Sequence, residues 1–184
     1  WGDNSVGPLG HGTTTQSTTP VTVSGISAAT ALAVGYHHSC ALLTTGQVQC
    51  WGGNDSGQLG NGTTTQATTP VTVSGISTAA AVAAGHAHSC ALLSNGAVQC
   101  WGDNTSGQLG NGTSATSPTP QSVAGTPGVI WSSSNTAVAN IDANGLVTGL
   151  SSGTATITAT ATDGSVSGGM TLHVLNDNIG GTIS

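Results

Sequence analysis

The chain has 184 residues with no lysine, arginine or phenylalanine, and its six acidic residues are all aspartate, for a formal net charge of -6. A chain without lysine or arginine has no phosphate clamp. Composition therefore argues against direct nucleic-acid or nucleotide binding and against attraction to anionic lipid. Apolar residues make up 36% with very sparse charge, the opposite of a disordered composition, and no apolar run is long enough to span a bilayer. The chain starts at Trp1 with neither methionine nor a signal peptide, which reads as a mature product or a fragment.

The dominant feature is a repeat of fifty residues. The run WGDNSVGPLGHGTTTQSTTPVTVSGIS from Trp1 returns as WGGNDSGQLGNGTTTQATTPVTVSGIS from Trp51, then begins again as WGDNTSGQLGNGTSATSPTPQSVAG from Trp101 and stops. In the second unit, short Ala, Val and Leu runs between glycine turns predict strands near Pro70–Ser74, Ala79–Ala84, His88–Leu93 and Ala97–Trp101. No segment has a helical period of adequate length. Four short strands per unit at this period predict a propeller blade. The expected organisation is blade repeats at 1–50 and 51–100, a partial blade at 101–125, a further partial domain at 126–175 and a tail at 176–184.

Within each full unit, GYHHSCALLTTGQVQCWG and GHAHSCALLSNGAVQCWG hold the four cysteines. His86, His88, Cys90 and Cys100 are a zinc set by residue type. Along a straight strand, however, His86 and Cys90 stand roughly 13 Å apart, beyond the reach of one ion. The first copy has Tyr36 in place of His86, and its His37 faces away from His38. A cysteine nucleophile fails similarly, because i and i+2 side chains on a strand are about 7 Å apart. A hairpin around TTG or SNG instead sets Leu42 against Val48 and Cys40 against Cys50, then Leu92 against Val98 and Cys90 against Cys100. Two disulfides, Cys40–Cys50 and Cys90–Cys100, and an oxidising compartment are therefore expected.

Asp3, Asp55 and Asp103 sit in glycine-rich turns with too few oxygens for calcium and are read as Asx turns. Trp51 and Trp101, like Trp1, end a strand and are expected to pack between blades. His11 and His173 have no matching companion and are read as surface or turn residues. The runs GTTTQSTTP and GTTTQATTP suit O-glycosylated loops, with Thr13, Thr14, Thr15, Thr18, Thr19, Thr63, Thr64, Thr65, Thr68 and Thr69 as candidates. Asn54, Asn61, Asn104 and Asn111 lie in N-x-S/T sequons.

WGDNTSGQLGNG, followed by P-V-T-V and AAGHAHSCALLSNGAVQCWG, resembles the regulator-of-chromosome-condensation repeat over roughly residues 1–125. The resemblance implies a closed propeller, usually of seven blades, and a blade-bracing hydrogen-bond role for His38 and His88. The founders' chromatin and GTPase role needs basic and loop features that this chain lacks and is not carried over. Secreted bacterial relatives are surface proteins, and one type inhibits β-lactamases. VIWSSSNTAVANIDANGLVTGLSSGTATITATATDGSVSGGMTLHV, residues 129–174, resembles the second half of a bacterial immunoglobulin-like domain of group 2. That resemblance implies a partial β-sandwich with Trp131 in its core, and a spacer or adhesin module without an active site.

The resulting expectation is an all-β protein of four-stranded blade repeats plus a partial immunoglobulin-like sandwich, with no cofactor, metal or catalytic residue. Its function is read as a non-enzymatic structural or adhesion protein, extracellular or on a bacterial surface. It is expected to self-associate into oligomers or filaments by completing truncated folds between copies. The alternative is a propeller module that binds a protein or glycan.

Overall fold

Alternating small apolar residues between glycine turns favour short twisted strands, and the computed structural model contains no other regular element among its described residues, 1–125, 128–143, 145–162, 164 and 167–175. The predicted tail at 176–184 lies outside these. The chain divides into two compact units, Trp1–Thr126 and Pro127–Ser184.

Unit 1 holds two four-stranded antiparallel sheets. In the first, or blade 1, β1 (Ala29–Val34), β2 (His38–Leu43), β3 (Val48–Gly52) and β4 (Ala67–Thr72) lie in chain order. Blade 2 repeats this with β5 (Ala79–Ala84), β6 (His88–Leu93), β7 (Val98–Gly102) and β8 (Ser117–Ser122). Each sheet therefore straddles two sequence repeats, because its outer strand comes from the repeat after the one that supplies the other three. The strand expected at Pro70–Ser74 runs instead from Ala67 to Thr72. A register shift between Cys50 and Gly52 accommodates Pro70, which as an edge residue needs no ladder donor. Val73 N still donates to Val48 O of β3 at 2.9 Å, and only then does the chain turn away, with Ser74 N donating to Gly60 O at 2.9 Å.

The β2–β3 hairpin pairs Cys40 with Cys50 and Leu42 with Val48, and the β6–β7 hairpin pairs Cys90 with Cys100 and Leu92 with Val98. Both cysteine pairs are disulfides with Cα atoms 4.0 Å apart. Cys40, Leu42, Val48 and Cys50 of blade 1 bury against Ala79, Ala91 and Trp101 of blade 2, with Leu59, Val73 and Ile76 completing the core.

In unit 2, β9 (Val129–Ser133), β12 (Gly153–Ala161) and β13 (Ser167–Val174) form a sheet in the order β13-β12-β9, and β10 (Ala139–Ile141) pairs with β11 (Val147–Gly149). Val138, Ala139, Ala155 and Ile157 make a small core. Trp131 is half-buried against it, over Gly145, where a Cβ would come within 2.9 Å of the ring and where φ is +83°.

Candidate functional site

The chemistry of unit 1 is concentrated where one repeat meets the next. Asn54, fully buried, spans its loop: Nδ2 donates to Thr63 O at 3.0 Å and Thr65 O at 2.9 Å, while Oδ1 accepts from Leu59 N at 2.9 Å. Asn4 and Asn104 do the same one repeat earlier and later. Asparagine alone among uncharged side chains of this size offers two donors and an acceptor. The amides of Asn54 and Asn104 are consumed in the fold, so these two sequons are not available in the folded chain. Sequence reading passed over this brace, although an asparagine in the same place after every Trp-Gly was the signal for it.

The braced loop presents one backbone carbonyl to the adjacent blade. Pro8 O accepts from Trp51 Nε1 at 2.8 Å and Ser39 Oγ at 3.0 Å. Fifty residues on, Gln58 O accepts from Trp101 Nε1 at 2.9 Å and Ser89 Oγ at 3.1 Å. The tryptophan rings close over glycine: a Cβ on Gly10 or Gly60 would lie 2.6 or 2.7 Å from the indole nitrogen, and both glycines have positive φ.

His38 is fully buried, with Nε2 2.8 Å from Ser89 Oγ. Since Ser89 gives its proton to Gln58 O, it accepts from His38, which fixes the Nε2–H tautomer. Nδ1 is buried without a hydrogen-bond partner. Burial first, and the nearby His88 second, lower the His38 pKa to about 4. His88 lies half-buried over Gly85. A histidine held neutral in the folded state but free to protonate near 6.5 when unfolded makes the unfolded chain the better proton acceptor. Stability should therefore fall as pH drops from about 6.5 to about 4 and level off below, by about 3 kcal/mol in total. Urea titrations of wild type and His38→Gln across this window test it. The variant should lose most of the slope, and an equal slope in both would assign the acid sensitivity elsewhere.

Asp3 and Asp103 hold turns, whereas in the middle loop Ser56 N donates to Gln58 Oε1 at 3.0 Å. Asp3 Oδ2 accepts from Ser5 Oγ at 2.8 Å, and Asp103 accepts from Thr105 N at 3.1 Å and from Gln108 Nε2 at 2.7 Å. The Ser5 hydroxyl lowers the Asp3 pKa, and the Thr105 backbone N–H is the main cause of the same shift at Asp103. His11 lies 3.5 Å from Thr13 Oγ1, and His173 Nδ1 lies 3.1 Å from Thr154 Oγ1.

The four residues of the zinc reading separate. Cys90 and Cys100 are in a disulfide, and β6 begins only at His88, so a bend carries His86 off the strand. The alternating-face argument therefore does not reach His86. Its ring stacks on Tyr36, centroids 4.5 Å apart and 14° between planes. Among the described residues, no three His, Cys or Asp side chains are grouped as a metal site would need.

Beside the first loop lies an open, mostly apolar cleft of about 550 Å³, lined by Trp1, Pro8, Val21, Leu32, Val34 and Trp51 among others. Leu32 and Val34 are 67% and 72% exposed there, whereas Val82 and Ala84, their counterparts in blade 2, are half-buried by blade 1. Thr13, Thr14, Thr15, Thr18 and Thr19 are exposed, as are Thr63, Thr64, Thr65 and Thr69, while Thr68 is half-buried beneath Gly7.

Sequence comparison matches this arrangement of strand, braced loop and returning tryptophan. The profile of the Regulator of chromosome condensation (RCC1) repeat matches residues 1–42 and 45–92, and a second profile of the same repeat matches 29–58 and 79–108. The chain belongs to the RCC1-repeat family. A Bacterial Ig-like domain (group 2) profile follows at 103–171. That match begins well before Val129 and takes in Ser117–Ser122, which is hydrogen-bonded into blade 2. Residues 103–108 fall under both profiles.

Among solved structures, human WBSCR16 is 22% identical over 71% of this chain and 36% of its own, with a TM-score of 0.60. Prp20p from Saccharomyces cerevisiae, described with its binding properties to Gsp1p and histones, is 26% identical over 71% and 31%, with a TM-score of 0.41. Yeast RCC1 (Prp20) in complex with Kap60 is 23% identical over the same shares, with a TM-score of 0.43. The likeness to WBSCR16 is one of fold, and this RCC1-repeat chain spans about a third of the length of these proteins. No curated protein sequence matches it.

Proposed function

We propose that this RCC1-repeat chain is a non-enzymatic extracellular scaffold of a bacterial surface, an adhesion or structural protein whose copies associate with one another. One observation carries the reading: both blades are stapled by hairpin disulfides, Cys40–Cys50 and Cys90–Cys100, in a chain that also matches an immunoglobulin-like domain. Disulfides and an immunoglobulin-like spacer suit an oxidising exterior. The exposed hydroxyls of Thr14 and Thr64 suit glycans, which would keep a chain without Lys or Arg soluble.

The second reading, a module that grips a separate protein or glycan, draws on the aromatic lining of the cleft by Trp1, Tyr36 and Trp51. Negative-stain electron microscopy of the oxidised chain separates the two. Regular filaments or rings of several copies support the scaffold. Single particles at every concentration would overturn it in favour of the module.

A further inference from the structure

Asparagine followed by glycine is a reactive step, because glycine has no side chain to keep its backbone nitrogen away from the asparagine side-chain carbonyl. The chain has four such steps. Asn144 lies outside the described residues, and the other three, Asn61–Gly62, Asn95–Gly96 and Asn111–Gly112, are held differently. Gly62 N donates to Pro118 O at 2.9 Å, and Gly96 N donates to Leu93 O at 2.9 Å. Each of these nitrogens must break a hydrogen bond before it can react. Gly112 N has no hydrogen-bond partner among the described residues, Gly112 is exposed, and a Cβ there would meet nothing within 4 Å. The contrast follows the sequence. The loop at 51–62 is followed by further strands of the same repeat, whereas the repeat pattern stops inside the chain at residue 125 and immunoglobulin-like sequence comes next.

The electrophile is also prepared at Asn111. Its Oδ1 accepts from Thr113 N at 3.1 Å, from Thr113 Oγ1 at 2.8 Å and from Asn104 Nδ2 at 3.3 Å. Asn61 Oδ1 accepts from Thr63 N at 3.1 Å and Thr63 Oγ1 at 2.9 Å, and Asn95 Oδ1 accepts from Ala97 N at 3.1 Å. Donors converging on a carbonyl oxygen stabilise the negative charge it gains when a nucleophile adds to its carbon. The first repeat has His11 at the equivalent place, a side chain with no amide to react.

We propose that Asn111–Gly112 is a self-modifying site, at which the folded loop converts the asparagine to aspartate and isoaspartate with water as the co-reactant. Gly112 N gives its proton to solvent and adds to Asn111 Cγ. The charge that forms on Oδ1 is met by Thr113 and Asn104. Collapse of the adduct breaks the Cγ–Nδ2 bond, and Nδ2 takes a proton from water and leaves as ammonia. Water then opens the cyclic imide. Attack at Cγ restores the main chain with an aspartate, and attack at the backbone carbonyl leaves an isoaspartyl link with one extra methylene in the main chain. Nothing is oxidised or reduced: one amide and one water become one carboxylate and one ammonium ion. The product adds a negative charge to a chain whose formal charge is already -6, with no Lys or Arg to offset it. The Thr113 N–H and hydroxyl that donate to Oδ1 donate equally well to a carboxylate, so the aspartyl form keeps its turn.

The whole oxidised chain, aged at mildly alkaline pH with and without urea, tests the site by mass spectrometry of peptic peptides, each conversion adding about 1 Da. In urea the three Asn-Gly steps should react at similar rates. In the folded chain Asn111 should convert at least tenfold faster than Asn61 and Asn95. Thr113→Val keeps the branched side chain and removes one donor, so it should slow Asn111 by about threefold in the folded chain and leave its rate in urea unchanged. Asn111 converting no faster than Asn61 in the folded chain would overturn the proposal. Faster conversion that ignores Thr113→Val would overturn the part given to the hydroxyl and leave the free glycine nitrogen as the cause.

Discussion

Trp101→Ala should lower the unfolding free energy of unit 1 by about 4–5 kcal/mol, against less than about 0.5 kcal/mol for Trp1→Ala. Trp101 has no solvent exposure, and Trp1 is 73% exposed, although both occupy the same place in the repeat. The Trp101 ring fills the junction between blades, over Gly60 and among Leu59 and Val73, and its indole N–H is spent on Gln58 O. Removing it leaves a cavity bounded on two sides by disulfide-stapled sheets, which cannot collapse to fill it. Gln58 O keeps Ser89 as a donor, so most of the loss is packing. Urea denaturation of the oxidised chains, followed by the remaining tryptophans, gives both values. Equal costs for the two variants would mean that the junction carries little of the stability.

Asn54→Ala should be nearly as damaging, at about 4 kcal/mol, for a different reason. The substitution removes little apolar packing. It leaves Leu59 N buried without an acceptor and deprives the Thr63 and Thr65 carbonyls of their shared donor, each at about 1–3 kcal/mol before water offsets part of it. The loop that loses its brace is the one that sets Gln58 O under Trp101, so the damage extends to the blade junction. Asn54→Asp should be no better, because a carboxylate can accept from Leu59 but cannot donate to two carbonyls. Thermal unfolding of both variants checks this, and an Asp variant as stable as wild type would show that the two carbonyl bonds are dispensable.

The local fold was legible because hairpin register depends on few residues. The three-residue turns TTG and SNG, with glycine last at φ +79° and +86°, determine which residues face each other, and so the cysteine pairs followed. The strands at Ala79–Ala84 and His88–Leu93 were set by glycine punctuation alone. Pairing across repeats was not legible. Nothing local in ATTPVT shows that it closes the sheet before it, and Pro70 pointed to a later strand start. The functional geometry was less visible still. Asn54 stood out only as a sequon residue, and Ser89 did not stand out at all, because the partners that explain its burial lie thirty-one and fifty-one residues away. His86 was assigned a strand face on the assumption of straight backbone, which the bend before β6 removes.

The overlap of each sheet with the next repeat governs how the molecule comes apart. Blade 1 keeps its outer strand only while the polypeptide entering blade 2 stays in place, and the same loop that follows β3 supplies the acceptor for Trp101. Neither blade can melt and leave its neighbour whole. In a stacked array with such coupling between neighbours, the free energy of opening one repeat includes that of stripping the one before it. The two blades should thus unfold as a single cooperative step, with amides of β4 exchanging as slowly as those of β6, and added repeats would sharpen that transition rather than broaden it.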